Sequence, residues 1–447
     1  MSSVIEEQPL PRAVCTCDEC GRKEALLEGL EHAGALAEVG PSGLPIVDEL
    51  RGELIAHRRR AALAPQNNEA TGDRLSIRKT NPKRPWLTYD PDMLLPSPFD
   101  AFLLGGGCPQ IRYPPASGNK HNQHLPLEVS LCYIVGCGRS GTTVLSELLS
   151  RYVGVVFLNE PRQLWIPLMP SMDIWSVAAP SRQGRLSFDT EEALLKVDER
   201  GDQTVAELMM DAYTDIADIA SSPPPQPGQI SRTAVVVEKF PEHAFRLPFL
   251  ASMCQDALGP SQCTFLHLIR DGVDVARSIS AFENPAVWYG VKDEWKWQCL
   301  RELCFPNSGP GDRKVPPVPA CQLDLGDDFV KFLDMPRTDQ HCRFARGLVE
   351  WAASVLAARN GAKQAEDSST WLEIRYEELT SKPAQVLATL TRHLHLEPSA
   401  SARQRAKTML MVKPSQPLSA VERKVLQAVR GSRVEELLRE FGRELPS

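Results

Sequence analysis

Apolar residues follow two rhythms along this chain. From residue 24 to residue 64 they recur at helical spacing (Leu26, Leu27 and Leu30, then Val47, Leu50, Leu54 and Ile55), and Gly40-Pro41-Ser42-Gly43 interrupts them. Two amphipathic helices are predicted there. Past residue 128 the rhythm changes. Short apolar runs at 129–135, 153–158, 233–237, 264–269 and 371–374 alternate with helical patterns at 143–151, 204–219, 247–258, 273–282, 342–363 and 383–395. Strands with no polar face must be covered on both sides. The alternation therefore predicts an α/β domain, a parallel sheet with helices on both faces. Residues 1–20 read as a tail, 21–127 as a helical and extended N-terminal extension, and 128–447 as the main domain. No internal repeat is evident.

Two long inserts break the alternation, at about 162–232 and 284–340. Connections of that length in an α/β domain usually serve as lids or binding loops. They hold five of the eight tryptophans, Trp165, Trp175, Trp288, Trp295 and Trp297. These rings either form the inserts' own core or line a pocket for a second substrate.

Composition adds mostly exclusions. The 447 residues are 42% hydrophobic and 24% charged, an ordinary globular balance. With 50 basic against 57 acidic side chains the net charge is -7, which disfavours a general nucleic-acid binder. The longest apolar candidate, 131–135, stops at glycine, far short of the ~18–20 residues of a membrane helix. Residues 1–11 carry Glu6 and Glu7 without an apolar core, so neither a signal nor a transit peptide is expected, and a cytoplasmic location is. Most of the twelve cysteines, Cys132, Cys254 and Cys263 among them, are expected to be buried small hydrophobes. Cys15, Cys17 and Cys20 stand apart as C-x-C-x-x-C. A zinc there would need a fourth ligand such as Cys108 or His32, and a mobile tail with free thiols is the expected reading.

The chemistry begins where the first strand runs into Gly136-Cys137-Gly138-Arg139-Ser140-Gly141-Thr142-Thr143 and then a helix. Glycines let successive N–H groups turn inward, and a helix N-terminus adds positive potential for an anion. Gly136-x4-Gly141 has Walker A spacing, yet Thr142 stands where the Walker Lys belongs. Arg139 is the cation at hand, and the hydroxyls of Thr142 and Thr143 can donate to phosphate oxygens.

This loop resembles the 5'-phosphosulfate loop of sulfotransferases that use 3'-phosphoadenosine-5'-phosphosulfate (PAPS). Its Arg-Ser-Gly-Thr-Thr form is similar to that of carbohydrate, tyrosylprotein and bacterial members. Residues 265–278 resemble the family's 3'-phosphate motif, in which Arg270 and, eight residues on, Ser278 would hold the ribose phosphate. Glu238-Lys239-Phe240-Pro241 looks like the Lys-x-Pro segment, and Arg375-Tyr376-Glu377-Glu378-Leu379 like a late Arg-Tyr-Glu-x-Leu segment, which adds Tyr376 to the cofactor site. The resemblance covers about 128–400. It implies a P-loop-type domain, with Gly138, Arg139, Ser140, Gly141, Thr142 and Thr143 on the 5' side. The family's late Gly-rich basic segment is not evident.

Sulfuryl transfer is an in-line displacement whose departing phosphate gains negative charge. Arg139 and Lys239 are the cations expected beside it, so no metal is required. A pairing of Lys239 with Glu238 is the plainer alternative for that lysine. An acceptor hydroxyl or amine must also lose a proton. Glu160, just past the second strand and expected beside the phosphate loop, is the expected base, as the resemblance also implies; His243 is the alternative. The expected acceptor is a small molecule or sugar-like, with no nucleic acid as partner and no membrane span. Two rival readings are a nucleotide kinase, in which Glu238 would be a Walker B acid on Mg²⁺, and a dead sulfotransferase fold serving as a binding module.

Overall fold

The computed structural model describes residues 127–446 apart from residues 166–167, 175–183, 198–202, 221–231, 259–261, 283, 291–293, 306–320, 413 and 415. The expected tail and extension, the Cys15/Cys17/Cys20 cluster with Cys108 and His32, and Trp175 lie outside the described residues.

Strands β1 (Leu127–Val135), β2 (Val155–Asn159), β3 (Arg232–Lys239), β4 (Cys263–Ile269) and β5 (Thr370–Arg375) form one sheet, ordered β2-β3-β1-β4-β5. Every pairing is parallel. The helices are α1 (Thr142–Leu149), α2 (Arg162–Trp165), α3 (Val205–Ala220), α4 (Leu247–Leu258), α5 (Gly272–Ser280), α6 (Ala286–Tyr289), α7 (Trp295–Cys304), α8 (Asp327–Leu333), α9 (Gln340–Gln364), α10 (Tyr376–Ser381), α11 (Pro383–His393), α12 (Ala400–Met409), α13 (Ala420–Ala428) and α14 (Arg433–Glu440).

Each strand sits on one of the apolar runs, for the reason those runs suggested. Alternate residues of β1 feed two separate cores. Leu131, Tyr133 and Val135 pack with α3, α4, α5 and α9 on one face. Cys132 and Ile134 pack on the other with Leu145 and Leu148 of α1, Leu387 and Leu390 of α11 and Ala406 of α12. Burying one such side chain contributes about 1.5–3 kcal/mol, so this two-sided burial holds the sheet more firmly than helix propensity does. Cys132, Cys254 and Cys263 are buried free thiols within these cores.

One neighbour relation needs correction. Strand β2 does not lie beside β1, because β3 lies between them, with Lys239 opposite both Ile134 of β1 and Asn159 of β2. Parallel neighbours are joined by crossovers, so chain order alone does not set pairing order. The consequence is functional: Lys239 stands between the glycine loop and Glu160.

The inserts contain short helices, α2 and α3 in the first and α6, α7 and α8 in the second. Trp165 and Trp297 are buried core residues. Trp288 and Trp295 are half-buried, and the Trp295 Nε1–H donates to the Gly184 carbonyl (2.9 Å).

Candidate active site

Between β1 and α1 the chain makes a sharp corner. Gly136 has φ 140°, and a Cβ there would come within 2.4 Å of the Leu268 carbonyl oxygen on β4. Gly141, with φ 94°, lies so close to the Tyr376 ring that a Cβ would meet its Cδ2 and Cε2 at 2.6 Å. Arg139 itself is held at φ 70°, the left-handed region that non-glycine residues rarely occupy outside functional turns. The corner ends in a helix with no side-chain cap and no acidic residue in its first turn. Its first N–H groups and the positive end of the helix dipole are therefore left for a ligand. The Ser140 hydroxyl is buried with no hydrogen-bond partner among the described residues, which such groups rarely lack.

A second corner follows β4. Arg270 leaves the strand, donates from Nη1 to the Arg139 carbonyl (3.3 Å) and lies with its guanidinium 5.0 Å from the Tyr376 ring centroid. Two turns along α5, the Ser278 hydroxyl accepts from the Arg139 Nε–H (2.9 Å). Arg139, Arg270, Ser278 and Tyr376, drawn from four separate segments, thus converge. Asp274 lies 3.5 Å from Arg270, but among the described residues no carboxylate pairs with Arg139. Partial desolvation, and then the nearby Arg270 cation, lower the proton affinity of Arg139. Two guanidiniums held together, an unpartnered hydroxyl and an uncapped helix together describe a cradle for an anion.

Beside this cradle, Lys239 at the end of β3 forms an ion pair with Glu160, and the Glu160 N–H donates to the Lys239 carbonyl (2.7 Å). Lys239 is buried, and Glu160 sits at φ 47° just past β2. The alternative pairing of Lys239 with Glu238 is thereby replaced. Side chains alternate along a strand, so Glu238 points to the opposite face. There it accepts from the Trp165 Nε1–H (2.8 Å), the Tyr213 hydroxyl (2.5 Å) and His243 Nε2 (2.6 Å).

His243, the alternative base, is placed otherwise than that role needs. It is wholly buried, stacked on Phe240 with ring centroids 4.7 Å apart. Burial pushes its pKa down, against the upward pull of Glu238. With Nε2 donating to the carboxylate, Nδ1 is the bare nitrogen, and it meets no partner among the described residues. That is the arrangement of a neutral core imidazole, closed off beneath the site.

Sequence reasoning passed over several residues that the geometry brings in. Arg443, beyond α14, grips Asp271 with Nε and Nη2 at 3.0 and 2.8 Å, and Glu377 accepts from the Asp271 N–H (2.9 Å). Phe282 and Trp288 stand against the loop. Trp288 had a signal in its place in a tryptophan-rich insert, and Glu377 in the late Arg-Tyr-Glu-x-Leu segment. Nothing in a sequence announces an arginine that reaches back 172 residues.

Residues 132–302 match the model of the sulfotransferase family. The matched segment carries the glycine loop, the Lys-x-Pro turn and the Arg270 corner. Among solved structures, the chain is similar to a sulfotransferase domain from the curacin biosynthetic pathway, with 16% identity, TM-score 0.35, and coverage of 72% of this chain and 100% of that one. It is similar also to the sulfotransferase domain of a Synechococcus olefin synthase (13%, TM-score 0.37, 75% and 100% covered). A third likeness is to a sulfotransferase from Mycobacterium avium (12%, TM-score 0.32, 98% and 99% covered). These are distant likenesses. No curated protein matches the chain.

Proposed function

We propose that the chain is a PAPS-dependent sulfotransferase acting on a hydroxyl or amine of a small acceptor. The observation that supports this most is the convergence of Arg139, Arg270 and Ser278, with no carboxylate on Arg139 among the described residues. One donor with a phosphate at each end needs two cationic corners at the carboxyl edge of a parallel sheet, and these residues occupy that edge. The unpartnered Ser140 hydroxyl fits the 5' side of the same ligand.

The donor supplies the sulfuryl group, and the residues do the rest. Backbone N–H groups of the loop, with Thr142 and Thr143, hold the 5'-phosphosulfate end. Arg270 and Ser278 hold the 3'-phosphate, with Tyr376 backing the Arg270 guanidinium. Arg139 and Lys239 face the oxygen on which negative charge grows as the sulfur–oxygen bond breaks. Preorganised donors of this kind are worth about 3–4 kcal/mol each. Glu160 takes the proton that the acceptor releases. Its partner Lys239 orients it, and two cations in place of a metal make activity independent of Mg²⁺. Glu238 is enclosed by three donors on the far face, which counts against its use as a Walker B acid in a nucleotide kinase.

Sulfate transfer from radiolabelled PAPS, assayed over a panel of acceptors with and without EDTA, tests the reading. Activity that survives chelation is expected; activity seen only with MgATP would replace this reading with the kinase. In the same assay Glu160→Gln should lower turnover by about 10² or more with PAPS affinity retained, the usual weight of a general base. His243→Asn separates the two candidates. Should it instead remove turnover while Glu160→Gln keeps it, the base is His243.

A further inference from the structure

Arg139 is the cation on which the proposed chemistry turns, and among the described residues the Ser278 hydroxyl is its guanidinium's one hydrogen-bond partner. Its second neighbour is aromatic. The Arg139 guanidinium carbon lies 5.8 Å from the centroid of the Phe282 ring. Phe282 in turn stacks on Trp288, with centroids 5.4 Å apart and planes inclined by 20°. On Trp288 lies the ammonium of Lys296, 4.6 Å from that ring's centroid. The result is a column of cation, ring, ring and cation that runs from the site into the interior.

The inner end of the column is anchored. Lys296 is buried and pairs with Glu350 at 2.8 Å and Glu242 at 3.5 Å. Glu350 also accepts from the Trp288 Nε1–H (2.6 Å). The same indole lies under the glycine loop, since a Cβ on Gly138 would come within 2.5 Å of its Cη2. At the outer end Phe282 is half-buried and belongs to neither apolar core.

We propose that Phe282 and Trp288 are positioning residues for the reaction: together they hold the Arg139 guanidinium at the donor site through ring-face contacts anchored on the Lys296–Glu350 pair. The physics is a cation on the electron-rich face of a ring, strengthened where water is displaced. The second insert thereby acquires a role. Its Trp288 links the buried Lys296–Glu350 pair to the loop cation.

This rests on the reading of Arg139 as a donor ligand, so the test carries both. The affinity for 3',5'-bisphosphoadenosine is measured by calorimetry for the unaltered protein, Arg139→Ala, Phe282→Leu and the double variant. Phe282→Leu should weaken binding about 2- to 5-fold and have no further effect once Arg139 is gone. Equal losses in both backgrounds, or none in either, overturn the column while leaving Arg139 a ligand. If Arg139→Ala binds as tightly as the unaltered protein, the reading of Arg139 itself falls. Pentafluorophenylalanine at position 282 keeps the shape of the ring and reverses its charge distribution. It should reproduce the loss seen with Phe282→Leu at an unchanged melting temperature. Binding like that of the unaltered protein would show that the ring only packs, and the proposal would be wrong.

Discussion

The two strand-to-helix corners of the site use the same elements to opposite ends. At the β1–α1 corner the helix starts on Gly141, uncapped and without an acid in its first turn. At the β4–α5 corner Asp271 caps the helix by accepting from the Asp274 N–H (3.0 Å), and Arg443 and Glu377 hold Asp271 in turn. A capped helix N-terminus has little positive potential left to offer an anion. An open one is an anion site. Under the proposed function, the first corner binds through its backbone and the second through the side chains of Arg270 and Ser278. In that reading a closed corner serves a phosphate because an arginine takes the place of the helix end.

The largest effect that would break this contrast concerns the open corner's cation. Arg139→Ala should lower turnover by about 10²–10³-fold in a steady-state assay and leave the melting temperature nearly unchanged, because Arg139 is exposed. Closing the open corner comes next. Thr143→Asp puts an acid in the uncapped first turn of α1 and should weaken binding of 3',5'-bisphosphoadenosine about tenfold by calorimetry. Unchanged affinity would mean that the helix end takes no part.

Opening the closed corner should be felt in stability first. Asp271→Ala removes a cap and leaves Arg443 without its carboxylate, a loss of about 1–3 kcal/mol in chemical denaturation. Binding of adenosine 5'-monophosphate should persist. A smaller effect comes from protonation beneath the sheet. Burial lowers the pKa of His267, which bonds Glu373 through Nδ1 at 3.2 Å, and likewise that of His243. Both folded values lie below the unfolded one of about 6.5, so the unfolded chain takes protons first as pH falls. Their contribution is fully present above that value and is lost below it. The melting temperature should therefore decline as pH drops from about 7.5 to about 5.5. Glu373 adds a second loss at lower pH. Burial alone would raise its pKa, but His267 and Arg359 hold it at about 2, so its share is lost only as pH falls toward that value.

The sheet was readable because its inner strands are buried on both faces, as the unbroken burial of β4 shows, while the edge strand β5 is only half-buried. Apolar runs need no knowledge of their neighbours. Pairing order does, and so β3 came between β1 and β2 unannounced. Short helices such as α13 and α14 near the C-terminus escaped because their apolar stripes are narrow, with Val425 and Leu426, then Val434, Leu437 and Leu438, facing the core. Within the site, Arg139 stood out from the loop, Glu160 from its strand end, and Arg270 and Ser278 from the resemblance to the family's 3'-phosphate motif; the structure brings Arg139, Arg270 and Ser278 together. The partnership of Lys239 with Glu160 was not, since it depends on three strands lying side by side. Neither was the burial of His243, which depends on Trp165, Tyr213 and Glu238 meeting from three separate elements.

The division of labour between the corners is tested most directly by comparing two ligands. Calorimetry gives the affinity ratio of 3',5'-bisphosphoadenosine to adenosine 5'-monophosphate for the unaltered protein and for Arg270→Ala. The account expects the bisphosphate to bind at least about tenfold more tightly to the unaltered protein, as a charge-assisted pair would give. Arg270→Ala should erase that advantage and leave the monophosphate's affinity as it was. An equal loss for both ligands, or an undiminished advantage of the bisphosphate, would contradict it.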